Sequence, residues 1–179
     1  MQIEQGQLVA ARQQASPNCD ERKDEVSLLI VHGISLPPGE FGGPWIDALF
    51  TNTLDPDEHE YFKQISHLKV SSHILIRRDG ELVQYVPFNK RAWHAGESQF
   101  HGQDCCNDFS IGIELEGTDD LAYTDEQYNQ LVAVITSIQA EYPAITTERI
   151  VGHSDVAPGR KTDPGTAFDW ARLRRLLST

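Results

Sequence analysis

The fold of this chain is constrained most by residues 110–152, where a strand, a capped helix and another strand follow one another. Ser110–Glu116 alternates strictly, and its apolar side chains fall on one face of a strand: Ile111, Ile113 and Leu115. Thr124 opens a Thr-x-x-Gln capping box, and an apolar stripe at helical spacing follows it. Pro143 ends this helix, and residues 149–152 form a short strand. The segment therefore predicts a sheet with a helix packed on it.

The other predicted elements are short and are separated by turn residues. The clearest is a hairpin, because Asp79 and Gly80 lie between two β-rich segments and can both adopt the positive φ of a tight turn. The remaining elements are a buried strand at residues 26–32, a helix that begins at Pro44, a short helix at 58–65 and a C-terminal helix at 168–177. We expect an α/β or α+β fold in which helices flank a central mixed sheet of about five strands.

The length and composition fit one compact domain. The chain has 179 residues, of which 39% are hydrophobic, and this suits a single domain over residues 1–179. Residues 1–25 are polar and charged, and we expect them to form an irregular leader over the surface. The N-terminal segment lacks the apolar stretch of a signal peptide, and no apolar segment approaches the roughly 20 residues of a membrane span.

Charge and cysteine content limit the classes of partner and the cellular compartment that we expect. The formal net charge of -12 repels phosphate backbones, so we expect no nucleic-acid partner. The chain has three cysteines, and this odd number argues against a disulfide framework. No CxxC spacing marks a redox pair. We therefore expect a cytoplasmic monomer that does not associate with a membrane.

The loop over residues 151–165 carries the strongest chemical signal. It is too rich in proline and glycine for a helix, and polar loops of this kind often carry function. His32 and His153 each end an apolar strand, and Asp163 lies in the loop that begins at His153. Taken singly, either histidine is explained as well by hydrogen bonds at a strand end. Together, two imidazoles and a carboxylate predict a three-ligand zinc site, which leaves a fourth position for water as catalytic zinc does.

Three further charged residues are candidates for catalysis. Glu114 lies in the middle of a strand and is the preferred general base, while Glu116 shares its face and competes for that role. A solvent-facing position explains either glutamate equally well. Lys161 is suited to stabilise a developing oxyanion, although an exposed loop lysine beside Arg160 is the simpler interpretation.

The segment Trp93-His94-Ala95-Gly96 is a further candidate for the site. Trp93 either stacks on a sugar or packs in the core. His94 is a candidate for a hydrogen bond to a metal-bound histidine, and Asp155 and Asp169 compete with it for this role.

Five segments of the chain form a pattern that is far more specific together than any one of them alone: Val31-His32, Ser72-His73, Trp93-His94-Ala95-Gly96, residues 107–117 and residues 152–165. In the same order, they resemble the zinc-dependent N-acetylmuramoyl-L-alanine amidases, and most closely the cytoplasmic AmpD type. The resemblance runs from about residue 26 to about residue 177. It implies a fold shared with peptidoglycan-recognition proteins, in which a mixed sheet is flanked by helices and zinc lies in a groove.

The resemblance also implies roles for individual residues and a substrate. Carried over by position, the zinc ligands are His32, His153 and Asp163, and the catalytic residues are Glu114 and Lys161. Tyr61 matches an aromatic residue near the zinc, and Trp93 and Tyr61 are the expected substrate-binding residues. The implied reaction is hydrolysis of the amide between the lactyl group of (1,6-anhydro-)N-acetylmuramic acid and L-alanine of the stem peptide, in cytoplasmic peptidoglycan recycling.

Three other functions remain compatible with these residues. Some peptidoglycan-recognition relatives lack a zinc ligand and only bind muropeptide, whereas here all three ligand positions are filled. The spacing of His153 and Asp155 matches part of the facial triad of non-haem iron oxygenases, but no histidine follows His153. A zinc peptidase that cuts an unrelated amide would use the same chemistry.

Overall fold

The computed structural model describes residues 1–178 and is built around a six-stranded mixed sheet. The strands are β1 (Ile3–Glu4), β2 (Gln7–Leu8), β3 (Arg12–Gln13), β4 (Cys19–Glu21), β5 (Leu28–Ile34), β6 (Ile74–Ile76), β7 (Leu82–Gln84), β8 (Lys90–Ala92), β9 (Gln99–Phe100), β10 (Gln103–Asp104), β11 (Ser110–Glu116) and β12 (Ile150–Gly152). The helices are α1 (Trp45–Phe50), α2 (Phe62–Ile65), α3 (Asp125–Glu141), α4 (His153–Val156) and α5 (Trp170–Leu177). The predicted fold class is confirmed.

The central sheet has the strand order β12-β5-β11-β6-β7-β3. Strands β12, β5, β11 and β6 are parallel, and β7 returns antiparallel to β6 through the predicted hairpin. Because parallel strands end at one edge of a sheet, the segments that follow β5, β11 and β12 meet there. Crevices at the carboxyl ends of such strands are the usual ligand sites of open α/β sheets.

Both faces of the sheet are covered. The face that carries Ile111, Ile113 and Leu115 packs against α3 and α5, as the alternation in β11 predicts. On the opposite face, Leu28 and Ile30 of β5 pack against the segment that includes Phe109. All seven residues of β11 are buried, so the face that carries Gly112 and the glutamates does not face solvent. The simple interpretation of Glu114 as a solvent-facing glutamate is therefore wrong, because loops and helices cover that side.

The helix α3 begins where its capping box predicts. The Thr124 hydroxyl accepts a hydrogen bond from the backbone nitrogen of Gln127, and the Gln127 side chain accepts one from the backbone nitrogen of Thr124. These two bonds satisfy donors that a helix start would otherwise leave without partners. The apolar stripe of α3 then buries Leu131, Ile135 and Ile138 against the sheet.

The prediction of an irregular leader over residues 1–25 is wrong. This segment forms β1 to β4, and β3 pairs with β7 to become the sixth strand of the central sheet. Leu8 and Ala11 are buried in the same apolar cluster as α3. The physical reason is that β7 would otherwise present a free edge, whose backbone groups need partners. Among the described residues, no helix is both long and apolar enough to span a bilayer.

Candidate metal centre and active site

Three side chains that are far apart in sequence converge at the carboxyl edge of the sheet. The Nδ1 atoms of His32 and His153 are 3.0 Å apart. The Oδ2 atom of Asp163 lies 3.2 Å from the first nitrogen and 3.0 Å from the second. The three potential ligand atoms therefore form a nearly equilateral triangle. Its edges are slightly shorter than the roughly 3.3 Å that separates tetrahedral ligands with zinc–nitrogen bonds of about 2.0–2.1 Å.

Hydrogen bonds on the far side of each imidazole fix which nitrogen faces the triangle. The Nε2 atom of His153 lies 3.1 Å from the Ala95 carbonyl, so it carries the proton and donates. The Nε2 atom of His32 lies 2.9 Å from Nδ1 of His94, whose own Nε2 lies 3.2 Å from the Ser110 hydroxyl. Both Nδ1 atoms then face the carboxylate of Asp163. Two imidazole nitrogens and a carboxylate oxygen that converge in this way can act together as the ligands of a cation.

The fold explains how these ligands meet. His32 is near the end of β5, and His153 is the first residue of α4, directly after β12, which pairs with β5 in parallel. The prediction that residues 151–165 contain no helix is therefore wrong for this single turn. Asp163 returns to them because its carbonyl accepts a hydrogen bond of 3.0 Å from the backbone nitrogen of Ser154. The loop between the two ligands is held in place by Arg160, whose guanidinium donates to the carbonyls of Ala95 and Glu97.

Burial favours the neutral form of His32 and His94, and the neighbouring histidines favour the ionised form of Asp163. Desolvation lowers the pKa of His32 to about 4, and the hydrogen bond that the Asp163 carboxylate accepts from the imidazole only partly opposes this. Burial also lowers the pKa of His94, and the neighbouring His32 adds to the effect. For Asp163, burial raises the pKa, but hydrogen bonds to His153 and His32 outweigh it and hold the pKa well below its ordinary value. Neutral imidazoles with an ionised carboxylate are the protonation states that metal binding requires.

The structure decides between the two glutamates of β11. Glu116 is 2% exposed and is held by Arg77 at 3.2 Å and by the backbone nitrogens of Gly42 at 2.7 Å and Arg78 at 3.2 Å. Glu114 is 8% exposed, and its Oε2 atom has no hydrogen-bond partner. Burial, reinforced by the charge of Asp163, raises the pKa of Glu114 well above its ordinary value. Of the two glutamates, Glu114 is therefore the one with a buried carboxyl oxygen that has no hydrogen-bond partner.

Glu114 faces the triangle of potential ligand atoms because of strand register. In the parallel pair β5–β11, Glu114 and His32 are register partners, so their side chains emerge on the same face of the sheet. Both residues line a groove of about 280 Å³ together with Lys161 and Tyr61. The side chain of Lys161 is exposed at the rim, and Tyr61 is half-buried in the wall.

Three of the sequence candidates lie elsewhere. Trp93 is half-buried and does not belong to the residues that line the groove, so its position gives no support to sugar stacking. Asp155 accepts a hydrogen bond from the backbone nitrogen of Gly152, and Asp169 caps α5. Neither aspartate is bonded to a metal-ligand candidate. With Asp155 engaged in this way, the structure does not assemble a facial triad around it.

No sequence motif predicts one wall of the groove. This wall is apolar and is formed by residues from α1, α2 and the adjoining loops: Leu36, Leu49, Phe50, Ile65, Leu68 and Val70. No motif marks them, because isolated apolar residues in loops and short helices are ordinary core residues. Ser110 was also missed as the partner of His94, since a serine at the start of a strand has no distinguishing pattern.

The chain matches the family model for N-acetylmuramoyl-L-alanine amidase over residues 22–166. It is 65% identical over 180 residues to 1,6-anhydro-N-acetylmuramyl-L-alanine amidase AmpD of Escherichia coli (strain K12), and the match covers 99% of this chain and 98% of that relative.

Solved structures agree with the sequence comparisons. A crystal structure of a selenomethionine AmpD derivative matches with a TM-score of 0.97 and 62% sequence identity, over 99% of each chain. A complex of the N-acetylmuramyl-L-alanine amidase AmiD from E. coli with anhydro-N-acetylmuramic acid-L-Ala-D-gamma-Glu-L-Lys matches with a TM-score of 0.62 and 29% identity. The latter match covers 90% of this chain and 58% of that one.

Proposed function

The chain belongs to the N-acetylmuramoyl-L-alanine amidase family, and from this premise we propose a specific reaction and the residues that perform it. We infer that it hydrolyses the amide between the lactyl group of (1,6-anhydro-)N-acetylmuramic acid and L-alanine of the stem peptide, in peptidoglycan recycling. The relative named for the 1,6-anhydro substrate supports this choice, because it matches this chain over nearly its whole length. Membership in an amidase family also favours the enzyme over a module that only binds muropeptide.

We propose that His32, His153 and Asp163 hold a zinc ion. The observation that carries this proposal is the triangle of ligand atoms with edges of 3.0–3.2 Å. Two nitrogens and one oxygen suit zinc, and three protein ligands leave a position free, as in catalytic sites. The chemistry that zinc supplies in such a site is polarisation of a carbonyl group and acidification of water.

Glu114 is proposed to move the proton. Its side chain lies on the same face as His32 and has a buried oxygen without a partner, so it is available to accept a proton from the attacking water. The raised pKa of Glu114 lets it retain that proton and then donate it to the departing nitrogen of L-alanine. A positioned acid or base contributes about 10²–10⁴-fold to the rate.

Lys161 is proposed to stabilise the oxyanion of the tetrahedral species. It lies at the rim of the groove that also holds Glu114 and the metal-ligand candidates. A cation placed where negative charge develops contributes about 10²–10³-fold. Tyr61 is proposed to contact the substrate, and the apolar wall gives the groove a surface for the less polar parts of a muropeptide.

The setting of the reaction is also proposed. The whole chain is proposed to be one amidase domain, since Leu8 of the N-terminal segment is buried with α3 and α5. Three free cysteines, Cys19, Cys105 and Cys106, suit the reducing cytoplasm. We propose a monomer that acts on small muropeptides, and light scattering of the purified chain tests its mass in solution.

The proposed reaction is tested by mass spectrometry of the products. The purified protein is incubated with anhydro- and non-anhydro-muropeptides, with and without a chelator. A further sample of the chelated protein is re-supplied with zinc. We expect release of the free stem peptide, its loss after chelation and its return with zinc. Intact muropeptide in all samples would reject the reaction, and cleavage that persists in the chelated protein would reject the metal.

A further inference from the structure

Tyr123 contacts all three segments that carry the proposed site. It is 5% exposed and lies against Gly33 and Gly117 at the carboxyl ends of β5 and β11, the strands that carry His32 and Glu114. Its hydroxyl donates a hydrogen bond of 2.9 Å to the carbonyl of Pro164, the residue that follows Asp163. One side chain thus links both strands to the loop that supplies the carboxylate.

Two glycines allow this close approach. A Cβ atom at Gly33, next to His32, would lie 2.5 Å from the Tyr123 hydroxyl oxygen. A Cβ atom at Gly117, just beyond β11, would lie 2.5 Å from Cε1 of the same ring. The Tyr123 side chain therefore lies directly against the backbone at both strand ends, with its hydroxyl at Gly33 and its ring at Gly117.

The loop around Asp163 has few elements of regular structure to fix it. The Asp163 carbonyl is held by Ser154, and the next carbonyl is held by Tyr123. Both bonds lie on the C-terminal side of the α-carbon from which the carboxylate projects, and they hold the two peptide groups that directly follow it. Further along, the backbone nitrogen of Ala167 donates to the Asp119 carbonyl at 2.9 Å, in the segment that leads to Tyr123. The orientation of Asp163 therefore depends on contacts with residues 119–123.

We propose that Tyr123 is a positioning residue for Asp163, and that its hydroxyl holds the Pro164 carbonyl so that the carboxylate stays within bonding distance of the ligand nitrogens. This inference rests on the proposed metal site. It assigns to a buried tyrosine outside the ligand set a share of the metal affinity. Hydrogen bonds that orient metal ligands are worth about 10–100-fold in affinity when they act directly on the ligand. A bond to the following carbonyl should have an effect near the lower end of that range.

Tyr128 offers a matched control. Like Tyr123, it packs on Phe168. It is 3% exposed, and its hydroxyl accepts a hydrogen bond of 2.7 Å from the backbone nitrogen of Asp169. Tyr123→Phe and Tyr128→Phe each remove one buried hydroxyl that is bonded to the backbone after Asp163. Tyr123 is bonded to Pro164, which is one residue from Asp163, whereas Tyr128 is bonded to Asp169, which is six residues from Asp163.

The experiment measures zinc affinity by competition with a chromophoric chelator, for the wild-type chain and both variants. Their visible spectra with cobalt(II) in place of zinc report the geometry of the site, and thermal unfolding with chelator present reports the fold. We expect Tyr123→Phe to bind zinc about tenfold more weakly and to change the cobalt spectrum. Tyr128→Phe should match the wild type in both. The unfolding temperatures of the two metal-free variants should fall by similar amounts, since each loses one buried hydrogen bond.

The outcomes separate this inference from the proposed function. Wild-type zinc affinity and an unchanged cobalt spectrum in Tyr123→Phe would overturn the positioning role, as would an equal loss of affinity in Tyr128→Phe. If the wild-type chain itself binds no zinc, the proposed metal site fails first. If Tyr123→Phe does not fold, 3-fluorotyrosine placed at position 123 keeps the ring and makes the hydroxyl a stronger donor. The wild-type zinc affinity should then be retained, and a tenfold loss with that residue would contradict the proposal.

Discussion

Replacement of Glu114 by glutamine should remove activity and at the same time stabilise the metal-free protein at neutral and alkaline pH. Glu114 is 8% exposed, and its Oε2 atom has no hydrogen-bond partner. Burial and the charge of Asp163 raise its pKa well above the ordinary value. In the unfolded chain the carboxyl has an ordinary pKa of about 4.3. The folded state therefore binds the proton more tightly than the unfolded state does.

The sign of the pH dependence follows from that difference. Below about pH 4 the carboxyl is protonated in both states, so it leaves the free energy of unfolding unaffected by pH. As the pH rises above the unfolded pKa, the unfolded state ionises first, and the wild-type protein loses stability until Glu114 also ionises in the folded state. Each unit by which the folded pKa is raised contributes about 1.4 kcal/mol to this loss. Glutamine does not ionise, so the Glu114→Gln variant does not lose this stability as the pH rises.

The expected gain is about 1–3 kcal/mol at pH 8, because the glutamine amide is also a buried polar group and escapes only the added cost of burying a charge. It is measured by urea unfolding of the wild type and Glu114→Gln with chelator present, between pH 4.5 and pH 8. The difference in the free energy of unfolding between Glu114→Gln and the wild type should widen as the pH rises. The kcat of the zinc-loaded variant should fall by at least about a hundredfold, with zinc retained.

Glu116→Gln is the matched control, because it makes the same change two residues away on the same face. Glu116 is ion-paired with Arg77 at 3.2 Å, so its loss leaves a buried cation with fewer partners. This variant should lose stability, by up to about 3–5 kcal/mol. A wild-type protein that is more stable than Glu114→Gln at pH 8, or a gap that does not change with pH, would refute the assignment of Glu114 as a buried carboxyl without a partner.

Three further variants test the rest of the site. Lys161→Ala should lower kcat by about a hundredfold while mass spectrometry of the native protein still finds zinc, and near-wild-type turnover would reject its role with the oxyanion. His153→Ala should lose metal and activity together, and full zinc occupancy by elemental analysis would show that the ligand assignment is wrong. Gly112→Ala would bring a methyl group within 2.5 Å of the His94 ring, which must then move away from His32. We expect about 10–100-fold weaker zinc binding in a chelator competition, and unchanged affinity would mean that His94 does not orient His32.

Most of the secondary structure could be predicted because its signals are local. The alternation of β11 and the capping box of α3 each depend on residues within a few positions, and both elements begin where those residues predict. The N-terminal segment was the main failure. Its strands are two or three residues long and are stabilised by pairing with distant strands, as when Arg12 of β3 pairs with Val83 of β7. Strands this short have no hydrophobic periodicity from which they could be predicted.

The sequence by itself determined which kinds of side chain were available for chemistry: two histidines at strand ends, a carboxylate in a rigid loop and two glutamates on one face of a strand. Only the tertiary structure decided how they are used. Strand register brought Glu114 beside His32, while Arg77 from the neighbouring hairpin neutralised Glu116. The alternation of a strand fixes the face on which a side chain emerges. It carries no information about what covers that face, because the covering residues arrive from remote parts of the chain.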